Sequence, residues 1–370
     1  MSDTRKFGDP PFPNLTYCAR CCLPDTTEGI QFDEMGICLA CRSQEEKMRI
    51  DWAARERKLR TILEDAKAKS GSNYDCIVPI SGGKDSAYQL HVLIKVYKMT
   101  PLAVTFSHNW WTETGKQNLW NILEKLEVDH MMYTPKRGLV NKLAKQSLKL
   151  IGDACWHCHA GVYSYPFHVA QKFKIPLMIY GESYAEASGR TTYLEEAAVE
   201  KDMVEYAWKN TAAGNADRML SDEVSRKDLS LFYPPSPQEL RDAGVYGIHL
   251  GDYLYWDNER TTEFLVKEYG WKEDKVEGSY KHYKSVECRM AGVHDYFKYV
   301  KRGFGRGTDF ASQDVRAGIM TREEAFEVAR TTDAERPPTL DYYLYITGQN
   351  EEQVMEELRS QRKGKAKDLP

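Results

Sequence analysis

The sequence predicts an α/β fold: a doubly wound parallel sheet, with a small zinc ribbon on its N-terminal side and an irregular, α-rich region on its C-terminal side. Three observations predict it. Short apolar runs alternate with helical spans between residues 71 and 185, the pattern of strands joined by crossover helices. A Ser-Gly-Gly-Lys-Asp-Ser segment ends the first of those runs, where a strand would turn into a helix. Two Cys-x2-Cys pairs lie ahead of the alternating region.

Taken in order, residues 1–15 are polar and Pro-rich and read as a flexible arm. Residues 16–42 hold Cys18, Cys21, Cys38 and Cys41. Four thiolates can surround one Zn2+ tetrahedrally at about 2.3 Å each, and this spacing is that of a zinc ribbon. A segment this short cannot bury a core, so the metal would supply its folding energy. Four cysteines leave no open coordination position, which makes the zinc structural. Cys22, beside Cys21, is a spare. Residues 43–70 are rich in Glu, Lys and Arg, with Met48, Trp52, Leu59 and Leu63 spaced among them, and read as one solvated linker helix. The core of the fold is expected over 71–185. Its strands fall at 75–80, 101–106, 129–133 and 175–180, and its helices near 86–98, 114–127, 138–151 and 160–173. Ligands of such sheets bind beyond the carboxyl ends of the strands.

Residues 186–345 are less regular and are assigned to substrate binding. Leu194–Trp208 reads as a helix, Tyr233–Pro237 as a loop, and Gly247–Trp256 as an aromatic strand. Thr321 and Glu324 form a capping box that starts a helix running to Arg330. Residues 346–370 read as a helix and a charged tail, mobile from Lys363 onward.

Composition narrows the function classes. Lys plus Arg number 51 and Asp plus Glu 55, a net charge of −4, so the basic excess of a nucleic-acid binder is missing. Mean hydropathy is −0.61, and no apolar run approaches the about 20 residues that span a bilayer. Met1–Asn14 has no apolar signal-peptide core. The expectation is a cytoplasmic protein with no membrane partner, whose nine cysteines serve metal or redox chemistry rather than disulfides.

Chemistry concentrates at Ser81–Ser86. The segment follows Cys76–Ile80 and precedes an amphipathic stretch with apolar residues at Ala87, Leu90, Ile94 and Tyr97. Gly82 and Gly83 let the backbone approach an anion, and the helix start points unpaired N–H groups at it. Ser81 and Ser86 add hydroxyl donors, and Asp85 a carboxylate for Mg2+. The Gly-Lys-Ser/Thr ending of a Walker A loop is missing. The segment resembles the PP-loop of the ATP pyrophosphatases, which move AMP from ATP to a substrate oxygen and release pyrophosphate.

A second cysteine pair, Cys155-Trp156-His157-Cys158-His159, lies near the expected ligand edge. Several readings stand. Cys155 and Cys158 could complete a metal site with Cys288 or a histidine. The three cysteines could carry an iron–sulfur cluster, as in some PP-loop sulfur-transfer enzymes. They could also be reduced thiols lining a pocket, or small buried hydrophobes. His108-Asn109-Trp110-Trp111 is a candidate pocket wall.

Taken together, the motifs resemble the N-acetyl sugar amidotransferases of bacterial surface-polysaccharide and pseudaminic-acid-type sugar pathways. The likeness runs from about Tyr17 to about Asp333. It rests on Cys18-Ala-Arg-Cys21, Pro24-Asp25-Thr26-Thr27, Cys38-x2-Cys41 and the PP-loop, and on the stretch from Arg302-Gly303-Phe304-Gly305-Arg306 through Asp314-Val315-Arg316 to Thr321-Arg322-Glu323-Glu324. Gly181-Glu182-Ser183-Tyr184-Ala185-Glu186 matches the family's pattern only in part, which leaves the sugar open. The resemblance implies an ATP- and Mg2+-dependent conversion of an acetamido group on a nucleotide-linked sugar to an acetamidino group, in LPS O-antigen or related glycan synthesis. It assigns Ser81, Gly82, Gly83, Lys84, Asp85 and Ser86 to pyrophosphate and metal, and Thr105 and Phe106 to adenine. Lys84 and Asp85 become catalytic residues, joined by Glu182, which after the fourth strand could hold Mg2+ or guide ammonia or else be a solvated loop acid, and Arg306 and Arg316 become the ligands of substrate phosphate. It also implies separate glutaminase and synthase subunits that supply ammonia. The alternative is sulfur transfer to tRNA or a small molecule through Cys155, Cys158 and Cys288.

Overall fold

The computed structural model describes residues 6–183, Ala185, Tyr193 and residues 212–370. The helix expected over Leu194–Trp208 lies outside the described residues.

Two helices, α1 (Leu39–Lys47) and α2 (Trp52–Ser70), replace the single linker helix expected over 43–70. The chain breaks between them because Asp51 caps α2, its side chain accepting the Ala54 N–H. Nor is α2 wholly solvated. Leu59, Leu63 and Ala66 recur on one face, and all three are buried against the sheet.

The sheet follows as β1 (Cys76–Pro79), α3 (Lys84–His91), β2 (Pro101–Phe106), α4 (Glu113–Leu126), β3 (His130–Tyr133), α5 (Arg137–Ile151), α6 (Trp156–Phe173), β4 (Leu177–Tyr180), α7 (Pro237–Asp242) and β5 (Tyr246–His249). Among the described residues all four strand pairings are parallel, in the order β3-β2-β1-β4-β5. Alternate strand residues face opposite layers, as the two-residue period of a strand requires. Cys76, Val78, Ala103 and Ile179 pack beside α2, α3 and α4, whereas Ile77, Val104, Phe106 and Met178 pack beside α5 and α6. The expected double winding is therefore present. β1 leads outward to β2 and β3 on one side, and β4 returns to its other side. This reversal opens a crevice at the carboxyl end of β1, where the Ser81–Ser86 turn leaves the sheet.

The aromatic run at 247–256 is strand only to His249, after which a 3-10 turn (Leu250–Asp252) takes over. Six helices follow: α8 (Asn258–Tyr269), α9 (Ala291–Arg302), α10 (Arg306–Arg316), α11 (Arg322–Thr332), α12 (Thr339–Thr347) and α13 (Glu351–Ser360). The capping box of Thr321 and Glu324 starts α11 as expected. A third apolar cluster joins α5 to α9, α12 and α13 through Val140, Leu148, Phe297, Leu340 and Leu358.

The two chain ends touch one another. Leu15, Ala366 and Leu369 are buried together. Arg362 donates to the carbonyls of Leu369 and Pro370, and Lys365 Nζ donates to Thr16 Oγ1. The apolar pair Ala366 and Leu369 holds the tail despite its charge.

Candidate active site

The turn after β1 is built for close approach. Gly82 has φ +78°, and a Cβ on it would stand 2.5 Å from the Gly115 carbonyl oxygen. Trp271 Nε1–H fixes the turn by donating to the Gly82 carbonyl at 3.0 Å. The Ser81 amide donates to Ser86 Oγ, and Ser86 Oγ donates to the Gly83 carbonyl. Gly83 occupies the N-cap of α3 and offers no side-chain cap, so among the described residues the first-turn amides of Lys84, Asp85 and Ser86 are open to a ligand. An N-terminus of this kind attracts an anion through both its N–H groups and the helix dipole.

Lys84 is buried, and its Nζ lies 2.6 Å from both Asp85 Oδ1 and Asn258 Oδ1. Trp256 Nε1–H also donates to Asp85 Oδ1. Burial works against the Asp85 carboxylate, but Lys84 and Lys284 outweigh it and hold Asp85 ionised, below the usual carboxylate range.

Two cavities meet here. A smaller one of about 330 Å3 is bounded by Ser81, Gly83, Lys84, Asp85, Ser86 and Glu182. A larger one of about 580 Å3 runs along Val104, Phe106, His108 and Trp110 toward the second cysteine pair. Ser81, Tyr180, Ser285 and Glu287 border both. Glu287 stands at this junction against the glycine turn, and among the described residues its buried Oε2 has no partner. Burial holds its carboxyl above the usual range.

The structure thus brings together Ser81, Gly83, Lys84, Asp85, Ser86 and Glu182, and Phe106 joins the larger cavity. Thr105 does not face that cavity. Its hydroxyl donates to the Ile80 carbonyl at 2.7 Å and lies 2.8 Å from His130 Nε2, on the sheet's other layer. The expected arginine pair is also split. Arg306 borders the larger cavity and is ion-paired to Asp295. Arg316 borders a separate cavity of about 640 Å3 beside Arg20, Lys47 and Asp257. Arg302 pairs with Glu28, while Arg322 donates to the carbonyls of Cys18 and Cys21.

Cys155, Cys158 and Cys288 all border the larger cavity. Burial raises the thiols of Cys155 and Cys158, and raises that of Cys288 to about 12. Sequence reasoning missed Lys284, Glu287, Asp295 and Asn258. None of them stands in a patterned motif, although Glu287 is next to Cys288 in the chain.

The N-terminal cysteines converge as the spacing predicts. Cys18, Cys21, Cys38 and Cys41 are buried, with their sulfurs all within 4.8 Å of one another. The pairs Cys18–Cys41 and Cys21–Cys38 are 3.9 and 3.7 Å apart. Four sulfurs at about 2.3 Å from a tetrahedral ion would be about 3.8 Å apart, so the set fits a zinc-sized metal. The amides of Arg20, Cys21 and Cys38 all point at Cys18 Sγ, as donors to a thiolate do. Cys22 is no spare. It is buried with Ala311 and Phe326, docking the module on α10 and α11.

Fold and site together define a parallel α/β protein with an anion-ready glycine turn at its switch point, a four-cysteine module and a helical C-terminal region. Comparison with known proteins narrows this at the C-terminal end. Residues 277–367 match the model of the family described as "LPS biosynthesis protein WbpG-like, C-terminal domain". An uncharacterised protein of Methanocaldococcus jannaschii is 28% identical over 116 residues, 31% of this chain. That match spans 41% of the archaeal protein's length. Among solved structures, the chain is similar to NMN synthetase from Francisella tularensis, with a TM-score of 0.31 and 14% identity over 61% of this chain and 98% of that one.

Proposed function

We propose that this chain is a nucleotide-consuming enzyme of surface-glycan synthesis, and that its reaction is ATP-dependent amidotransfer onto a nucleotide-linked N-acetyl sugar. One observation carries the reading: the open amides of the Ser81–Ser86 turn face a cavity that continues into a second, substrate-sized one. The WbpG-like C-terminal match supports the glycan context.

The chemistry needs such a site. An amide carbon is a poor electrophile because its nitrogen donates into the carbonyl. Moving AMP onto the acetamido oxygen creates a leaving group, and ammonia then displaces it to give the acetamidino product. The turn's amides and Lys84 would hold the departing pyrophosphate. Asp85 and Glu182 border the same cavity, and their oxygens suit Mg2+. When bound, that ion would neutralise charge on the phosphates. Arg306, fixed by Asp295, would orient a substrate phosphate. Glu287, between the cavities, would take a proton from the attacking ammonia. Val104, Phe106 and Trp110 would keep water from the activated imidate. Ammonia would come from separate glutaminase and synthase subunits in a cytoplasmic assembly.

The test is product analysis with purified protein, ATP, Mg2+, ammonium and a panel of UDP-acetamido sugars. AMP and pyrophosphate should form only when sugar and ammonium are both present. The convergence of Cys155, Cys158 and Cys288 on one cavity favours sulfur transfer as the second reading. Turnover that required a sulfide source or tRNA instead would select it.

A further inference from the structure

A second set of ligand-type atoms converges far from the N-terminal module. One carboxylate oxygen of Asp153, Sγ of Cys155 and one ring nitrogen of His294 all lie within 4.8 Å of one another. Asp153 and Cys155 sit in the α5–α6 connection and His294 in the first turn of α9, so the tertiary fold alone brings them together. Cys155 is buried, and Cys155 and His294 both border the larger cavity. Asp153 stands behind them in a fixed orientation. Its Oδ1 accepts the Cys155 N–H at 2.8 Å, and its Oδ2 lies 2.9 Å from His159 Nδ1.

We propose that Asp153, Cys155 and His294 form a second metal site, for Zn2+, with its fourth position open to the larger cavity. A mixed carboxylate, thiolate and imidazole set suits zinc. Ligand bonds of about 2.0–2.3 Å place tetrahedral donors about 3.3–3.8 Å apart, so the three atoms reach an ion with shifts of about 1 Å. His159 supplies the outer hydrogen bond that commonly orients a ligating group. The contrast with the N-terminal module is chemical. Four cysteines close a coordination sphere, whereas three protein ligands, two of them on a cavity wall, leave room for water or a substrate oxygen or nitrogen. The site uses one of the three cavity cysteines, and so differs from an iron–sulfur cluster on Cys155, Cys158 and Cys288. It stands independently of the amidotransfer reading.

Metal content tests it without any activity assay. The full-length protein is dialysed against Zn2+, desalted, and its zinc counted by mass spectrometry. The wild type should hold two ions per chain, His294→Ala and Asp153→Asn one, and Cys158→Ala two. Loading with Co2+ should give a wild-type-minus-His294→Ala absorption difference with the charge-transfer band of a single thiolate. One zinc per chain in the wild type would overturn the site, whether or not any variant folds. So would two ions retained in His294→Ala, or iron lost on replacing Cys158.

Discussion

At the residue scale, Gly82 is the sharpest test of the glycine turn. Its φ of +78° disfavours any side chain, and a Cβ would press on the Gly115 carbonyl. Gly82→Ala should cost about 1–3 kcal/mol of stability. It should also weaken ATP binding at least about tenfold, the effect of losing roughly one good contact to an anion. Urea denaturation and calorimetric titration read the two effects. His108 makes a pH prediction. Burial, with His157 nearby, lowers its pKa to about 3. The folded state therefore resists protonating a ring that the unfolded chain protonates near 6.5, so its contribution is complete above pH 6.5 and lost as pH falls toward 3. By pH 5 the loss is about 2 kcal/mol. His108→Asn keeps an acceptor for the Trp110 N–H that His108 Nδ1 receives. Its stability deficit at pH 8 should shrink or reverse by pH 5, as measured by urea midpoints. What was legible at this scale was what is contiguous. Ser81–Ser86 announces itself because one turn carries all its donors. Glu287 and His294 reach the same cavity from a stretch with no local pattern. The side that Thr105 faces was unreadable, because β2 is buried on both sides and shows no polar alternation.

At the element scale, α6 crosses β2 at Gly161. A Cβ there would stand 2.2 Å from Phe106 Cζ, on a ring that borders the larger cavity. Alanine is the better helix former by about 1 kcal/mol, but overpacking costs about 1–3 kcal/mol and the ring has little room to yield. Gly161→Ala should lower the Tm despite its propensity and, by displacing Phe106, impair sugar-dependent AMP release. Differential scanning calorimetry and product assays check both. The strands and helices of the sheet were readable from their two periods. The break before Asp51 was not, because Glu, Lys and Arg run through it unchanged. Neither was the π-helical turn Val92–Val96, whose apolar residues fit a continuing α-helix equally well.

At the whole-molecule scale, the two ends hold one another. Leu369 packs near Gly303 and Leu15, and the terminal segment covers apolar surface that polar composition gave no reason to expect. Removing residues 363–370 should lower the Tm by a few degrees, because burial of two apolar side chains is worth about 2–4 kcal/mol. It should also speed proteolysis near Phe12, followed by mass spectrometry of the fragments. Metal removal would act on a different contact, that of the cysteine module with α10 and α11. Stripping the N-terminal module with a strong chelator should loosen α10 and α11, because Cys22 is buried between them. Faster amide exchange there, with the central sheet unchanged, is the expected record.

Arg322 reaches back across 304 and 301 residues of chain to the carbonyls of Cys18 and Cys21. On the ribosome the knuckles therefore emerge long before their clasp is made. Any ion that a nascent module takes up is held by four sulfurs alone until α11 appears and Arg322 closes over the knuckles. Starving cells of zinc during synthesis should harm this protein more than withdrawing zinc from it once finished.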